Sequence, residues 1–318
     1  MARRAKDPHT MNNINKFTVY LGSSGRCRPI FKETAKALGN LIGEHGKSLI
    51  YGGMDAGLMG IVANNALSSG AHVTGIIPKK LKDSERIHPD LSETILVPDL
   101  WERKLKMFKR ADAIIGLAGG FGTIDEVLEA LYWANLGAHA KPVILVNTDN
   151  YWDDFIAYLR TLPDLSHDHL IIADNVTDIF DKLESWTPPE ITGDINNMPH
   201  FEDEILRDTD APIIFEQANI KDGYFLATAL GLKQLDKHQR HIGLLNDKGQ
   251  FNHLIRWIDK AQQEHFITDR CTQLFCAEPD LAILHKKLDK QATIHINLED
   301  EKWGPSETKT HIEIRETE

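Results

Sequence analysis

The chain has 318 residues, 42% hydrophobic and 26% charged, an ordinary soluble globular composition with length for about two domains and a core that needs no crosslinks. Thirty-six Lys and Arg against 47 Asp and Glu give a formal charge of −11, which excludes a general nucleic-acid binder and leaves only a local basic pocket for an anionic ligand. Cys27, Cys271 and Cys276 are too few and too scattered for a disulfide framework or a zinc site, and no apolar run approaches the roughly 18 residues of a membrane span.

Residues 1–15 read as a tail. Its first ten, MARRAKDPHT, are basic and polar, without the apolar stretch of a secretory signal, so the default compartment is cytoplasmic. From 16 to 186, β-rich runs alternate with helical patterns. The runs are FTVYLGS (17–23), SLIYGG (48–53), HVTGIIP (72–78), TILVPD (94–99), AIIGLAGG (113–120) and PVILVN (142–147). Between them lie PIFKETAKALGNLIGEHG, LMGIVANNALSSG, LWERKLKMFKRA and TIDEVLEALYWANLG. Such alternation predicts an α/β fold, a doubly wound parallel sheet covered on both faces, and nearly continuous apolar runs suit strands buried on both sides.

Residues 187–202 carry Pro, Gly and Asn without periodicity and read as a linker. Over 203–300 the order is PIIFE (212–216), a helix from about Tyr224 to Asp236, IGLLND (242–247), FNHLIRWIDKAQQEHF, QLFCAE (273–278) and LAILHKKL. This repeats the second half of the first domain. Leu131, His139, Leu145 and Asn147 stand 99 residues before Leu230, His238, Leu244 and Asn246. Where the first copy has AGGFGT, the second has QANIKD. The pattern implies a degenerate half-domain repeat that lost its glycine loop and packs on the first domain as a pseudo-subunit. A further strand is expected in TIHINLE, and 301–318 read as a charged tail.

Candidate chemistry collects at strand-to-helix junctions. In Leu117–Glu126, Gly119, Gly120 and Gly122 allow a sharp turn and close backbone approach to a ligand, and a helix N-terminus favours an anion. Locally, Thr123 followed by Glu126 also fits a capping box with no catalytic role. Gly52 and Gly53 after the second run offer a second backbone concavity, or only a tight turn. Gly22-Ser23 after the first run offers N–H and hydroxyl donors. Trp101-Glu102-Arg103-Lys104 opens a helix on which Arg103 suits bidentate pairing with phosphate and Lys104 adds a point charge. In an open α/β sheet all of these lie at the carboxyl edge, where ligands bind. The histidines form no ligand set. His167 and His169 read as surface residues, and nothing demands a metal.

In this order and spacing, YGGxxxGLMG, ERK and GGxGTxxE resemble the Lonely Guy (LOG) family of nucleotide phosphoribohydrolases, once widely labelled lysine decarboxylases. The resemblance covers about residues 16–186. It implies a Rossmann-like fold and a homo-oligomer, typically a dimer with sites near the subunit interface. It also implies hydrolysis of the N-glycosidic bond of a nucleoside 5′-monophosphate, a cytokinin ribotide or AMP, to free base and ribose 5-phosphate. No cofactor, nucleic-acid or membrane partner is implied. Arg103 and Glu126 match the catalytic residues. Lys104, Gly120, Gly122 and Thr123 match the nucleotide-binding stretch, and Glu85 matches a further substrate-contacting acid. Four positions depart from the family pattern: Ala118 for Pro, Met54 for Gly, Trp101 for His, and Tyr132 where plant members have Thr. A pyridoxal-phosphate decarboxylase would need a Schiff-base lysine with supporting partners, and none stands out. The competing reading is a non-catalytic nucleotide or cofactor carrier of the same fold.

Overall fold

The computed structural model describes residues 14–81 and 87–297. Strand β1 (Lys16–Tyr20) leads through α1 (Pro29–Glu44) to β2 (Ser48–Tyr51), then through α2 (Gly57–Ser68) to β3 (His72–Pro78). Next come β4 (Glu93–Val97), α3 (Leu100–Arg110), β5 (Ala113–Gly116), α4 (Phe121–Asn135), β6 (Val143–Val146), α5 (Asp153–Thr161), β7 (Leu170–Ala173) and α6 (Asp178–Ser185). All seven strands are parallel, in the order β4-β3-β2-β1-β5-β6-β7. Central strands such as β5 and β6 are buried at every residue, the mark of a sheet covered on both faces. Helix α1 opens with Pro29 in its first turn, where a missing N–H costs nothing. It lies so close to α2 that a Cβ at Gly39 would stand 2.5 Å from the carbonyl oxygen of Val62.

A short helix, α7 (Glu202–Ile205), precedes the second unit: β8 (Ile213–Phe215), α8 (Ile220–Gln234), β9 (Ile242–Leu245), α9 (Asn252–Gln263), β10 (Phe275–Glu278) and α10 (Leu281–Leu288). Its three strands are parallel in the order β10-β9-β8, matching β7-β6-β5. The match extends to single bonds. His139 Nε2 pairs with the Ala130 carbonyl at 2.8 Å, and His238 Nε2 with that of Ala229 at 2.9 Å. The Asn147 side chain accepts from the Trp152 amide at 2.8 Å, and Asn246 from that of Phe251 at 2.9 Å. Lys141 binds the Phe108 and Ala111 carbonyls ahead of β5, while Arg240, 99 residues on, binds those of Ile205 and Ala211 ahead of β8.

The structure revises five local readings. The strand Leu170–Ala173 and its following helix, absent from the sequence reading, complete the first sheet. Residues 291–297 have no regular structure, so no strand begins at Thr293 within the described residues. His169 is buried at 3% exposure, with Nδ1 3.1 Å from the Lys141 carbonyl and its ring edge-on to His139. Helix α4 takes Gly120 as its N-cap, which places Thr123 and Glu126 inside the helix, so the capping box does not form. The segment read as a linker is pinned: Thr192 and Gly193 donate to the Gly137 carbonyl, and Trp133 donates to that of Pro199.

The two units share one core. Helix α4 packs on α8, and α5 on α9, with Trp152 and Trp257 stacked 5.8 Å apart. Arg28 binds Glu264 through Nε at 2.6 Å and Nη2 at 2.7 Å. Trp257→Ala is expected to lower unfolding stability by about 3–5 kcal/mol while preserving a single cooperative transition in denaturant. Two separated transitions would show that the units melt independently.

Candidate functional site

Strand β1 lies between β2 and β5, so the chain leaves it toward one half of the sheet and returns to the other. This switch point opens a crevice at the carboxyl ends of the strands. The Gly22 amide donates to the Ala118 carbonyl at 3.0 Å and the Leu117 amide to that of Tyr20 at 2.9 Å, which locks the two glycine loops side by side. Above them is a cavity of about 210 Å³ lined by residues of both units.

One end of the cavity is the first turn of α4. Gly120 caps that helix without a side-chain hydrogen bond, so the turn keeps amides that carry the positive end of the helix dipole. A Cβ at Gly122 would meet nothing within 4 Å, which marks open space beside those amides. The second unit contrasts. Asn219 caps α8 itself, accepting from the Asp222 amide at 2.8 Å, and Asp164 takes the Ile220 amide at 3.0 Å. The copy's helix end is therefore satisfied by the protein.

Arg103, on the first turn of α3, reaches across to the β2 loop. A Cβ at Gly52 would stand 1.9 Å from its Nη2, so only glycine leaves room for the guanidinium there. Its Nε is buried with no hydrogen-bond partner. A guanidinium nitrogen left without a partner among the described residues is ready to bind an anion or a carboxylate. Helix α3 is held at this spot by Asp99, which accepts from the Glu102 amide at 2.8 Å.

Glu126 lies one turn into α4, in the same cavity. Desolvation raises its pKa to about 8, opposed by Arg103 and reinforced by Asp125. Lys104 is only 7% exposed, with Nζ 2.8 Å from Glu129, 3.1 Å from Asp125 and 3.6 Å from Glu202. Burial pulls the Lys104 pKa down, but Asp125 and Glu129 overcompensate and hold it well above the ordinary value. Three carboxylates share one ammonium, and desolvation lifts Glu129 to about 7 against the pull of Lys104. The second unit joins this cluster: Thr228 donates to Asp125 at 2.5 Å and Tyr224 to Glu129 at 3.1 Å.

Of the residues singled out by sequence, Gly22, Ser23, Gly52, Arg103, Lys104, Gly120, Gly122, Thr123 and Glu126 line this one cavity. Gly53 and Gly119 stand behind it. Gly53 has φ +79, which L side chains rarely adopt, and the Gly119 carbonyl accepts from the buried Tyr151 hydroxyl at 2.5 Å. Glu85 lies outside the described residues. Of the four departures, Met54 lines the cavity and pairs with Ile87 in a single antiparallel bridge. Trp101 stacks on His200 at 4.2 Å, and Tyr132 packs on Phe201 and Tyr224. Sequence reading missed Asp125 and the α8 wall of Thr228, Gly231, Leu232 and Gln234. No local motif marks these residues; the 99-residue repeat offset was the one signal leading to α8.

The second unit also touches the glycine loops directly. A Cβ at Gly22 would stand 2.6 Å from the Phe266 ring, and one at Gly120 2.8 Å from Ile267. These glycines are required by the close approach of that unit as well as by the turn.

Residues 59–183 match the family described as "Possible lysine decarboxylase". Cytokinin riboside 5′-monophosphate phosphoribohydrolase LOG7 of Arabidopsis thaliana is 36% identical over 185 residues, 56% of this chain and 85% of that protein. The enzyme of that name, LOG, from Oryza sativa subsp. japonica is 34% identical over 197 residues, 59% of this chain and 81% of its own. Among solved structures, the molybdenum cofactor binding protein of Rippkaea orientalis is 24% identical, with a TM-score of 0.45, covering 54% of this chain and 97% of that one. By its likeness to these phosphoribohydrolases over most of their length, the chain belongs to the LOG family.

Proposed function

We propose that the chain hydrolyses the N-glycosidic bond of a nucleoside 5′-monophosphate, a cytokinin ribotide or AMP, to free base and ribose 5-phosphate. The observation that carries this reading is one cavity bounded by a helix N-terminus without a side-chain cap, a guanidinium whose buried Nε has no partner among the described residues, and the half-buried Glu126 carboxyl. Each suits one part of the substrate. The amides of the Gly120–Gly122 turn bind the 5′-phosphate, with the helix dipole favouring its charge. Glu126, one turn further on, lies beside the ribose. As the C–N bond breaks, C1′ gains oxocarbenium character, and the Glu126 carboxylate stabilises that charge. The bonding pair leaves with the base, which is protonated. Water adds at C1′ and gives up its proton, producing ribose 5-phosphate. Arg103 orients Glu126 and the leaving base.

Lys104 serves the machinery indirectly in this reading. Its ammonium, saturated by Asp125, Glu129 and Glu202, holds α4 against α3 so that Glu126 and Arg103 share the cavity. The same saturation disfavours a pyridoxal-phosphate decarboxylase. Lys104 is the lysine lining the cavity, and an amine held protonated by buried carboxylates cannot form a Schiff base.

Incubation with AMP and with cytokinin ribotides, followed by chromatography for free base, tests the reading. The full-length protein is expected to release base, and Glu126→Gln to lower kcat by about 100-fold or more. Turnover at the wild-type rate in that variant would remove Glu126 from its role, and retained nucleotide without product would indicate a carrier.

A second prediction follows from the protonation of Glu126. Its folded pKa, about 8, lies above the usual carboxylate value, so the folded state holds a proton that the unfolded chain releases. Its contribution is neutral below pH 4 and becomes a growing penalty from there to about pH 8. Glu126→Gln removes the penalty. At pH 8 the variant is expected to be more stable than wild type by about 4 kcal/mol, with the gap closing toward pH 4. Equal stabilities at pH 8 would refute the raised pKa. In catalysis, kcat/KM is expected to rise from pH 6 to 9 as the carboxylate ionises. A fall over that range would make the protonated group the donor to the leaving base.

A further inference from the structure

The two units are related by an internal pseudo-two-fold, visible in which residues meet. Asp125 and Glu129 of α4 stand 99 residues before Tyr224 and Thr228 of α8. Asp125 binds Thr228, and Glu129 binds Tyr224, so each residue meets the counterpart of the other. This reciprocity is the signature of an isologous contact. Asp154 of α5 lies on the pseudo-axis, 3.1 Å from its own counterpart His253 and 2.8 Å from Arg256 Nε.

The substitutions between the copies have one direction. If a second chain brought its own α4 and α5 to this face, Asp125 would meet Glu129 and Asp154 would meet Asp154, carboxylate against carboxylate. The internal copy instead offers the Thr228 and Tyr224 hydroxyls, the His253 ring and the Arg256 cation. Face and copy are matched in charge, whereas face and face are not.

The same register bears on the cavity. Gly231 of α8 is the counterpart of Tyr132. It lines the cavity, and a Cβ there would meet nothing within 4 Å. A second α4 in the place of α8 would bring a tyrosine side chain into that space. The copy's own site is gone: the counterparts of Gly120, Gly122 and Glu126 are Asn219, Lys221 and Phe225, and Phe225 packs on Phe201 and Phe215.

We propose that the C-terminal unit is an internal substitute for a second subunit: α8 closes the catalytic cavity in cis, Gly231 keeps open the space the nucleotide enters, and each chain holds one site complete by itself. Thr228 and Tyr224 are positioning residues that act through Asp125 and Glu129, and Gly231 sets the size of ligand admitted. This rests on the nucleotide-hydrolase reading for its substrate and on the α4–α8 packing for its geometry.

Two measurements on the full-length protein test it. Gly231→Ala and Gly231→Tyr place progressively larger side chains in the cavity. Base release from AMP is expected to fall with size, reaching about 100-fold in kcat/KM for the tyrosine variant, and the thermal shift produced by AMP should shrink in parallel. Melting temperatures without ligand are expected to stay level or rise, since alanine is a better helix former than glycine. Specific activity should also be constant on dilution into the low nanomolar range. Wild-type kcat/KM and AMP shift in Gly231→Tyr, or specific activity that falls on dilution, would overturn the proposal. Wild-type protein that is stabilised by AMP without cleaving it would refute the hydrolase reading and leave the Gly231 series to be read from the shift. Protein that neither binds nor cleaves any nucleoside 5′-monophosphate would overturn both.

Discussion

The architecture turns on one buried ammonium. Lys104 comes from the helix that also carries Arg103, and its partners are two carboxylates of α4 and one from α7, just ahead of the second unit. Leaving three such carboxylates without a cation would be strongly unfavourable, because an uncompensated buried charge loses its hydration with nothing in return. Satisfying them draws α3, α4 and α7 to one point. The hydroxyls of Tyr224 and Thr228 complete the set and fix the register of α8. The position of Glu126 follows, since it sits on α4 between Asp125 and Glu129 and can turn only toward the cavity those residues leave.

Around that point the glycines serve two constraints at once. Gly52 makes room for the Arg103 guanidinium. Gly22 and Gly120 admit Phe266 and Ile267 of the second unit, while Gly120 leaves the first turn of α4 without a side-chain cap. A loop shaped only to bind an anion would not need the first of these fits, and one shaped only to pack would be capped as α8 is by Asn219. Phe266 also joins Phe31 and Tyr151 in a ring of edge-to-face contacts, and Tyr151 holds the Gly119 carbonyl. The second unit thus supports the loop from behind as well as walling the cavity in front.

Much of this was legible in sequence because it is local. Alternating runs and helices gave the parallel sheet, and glycines at three strand ends gave the crevice. ERK and GGxGTxxE put Arg103 and Glu126 at its rim. The 99-residue echo of His139 and Asn147 exposed the repeat because each side chain bonds within its own unit, so the same bond recurs in both copies. Errors arose where burial decided the outcome. Leu170–Ala173 is a half-buried edge strand, His169 is buried by a neighbouring imidazole and a carbonyl, and Thr123 met a capping pattern that the Gly120 turn preempted.

Sequence alone determined the fold class, the sheet edge that carries the glycine loops, the candidate residues Arg103 and Glu126 and the existence of a second half-repeat, since each follows from periodicity or from a motif spanning a few residues. Only the tertiary structure decided that Lys104 is a buried tie among carboxylates, that the repeat pairs α4 with α8 and α5 with α9, and that Gly231 faces the cavity. Those facts depend on contacts between residues about a hundred positions apart. Their energies come from desolvation and charge complementarity, which have no meaning until the chain has brought the groups together.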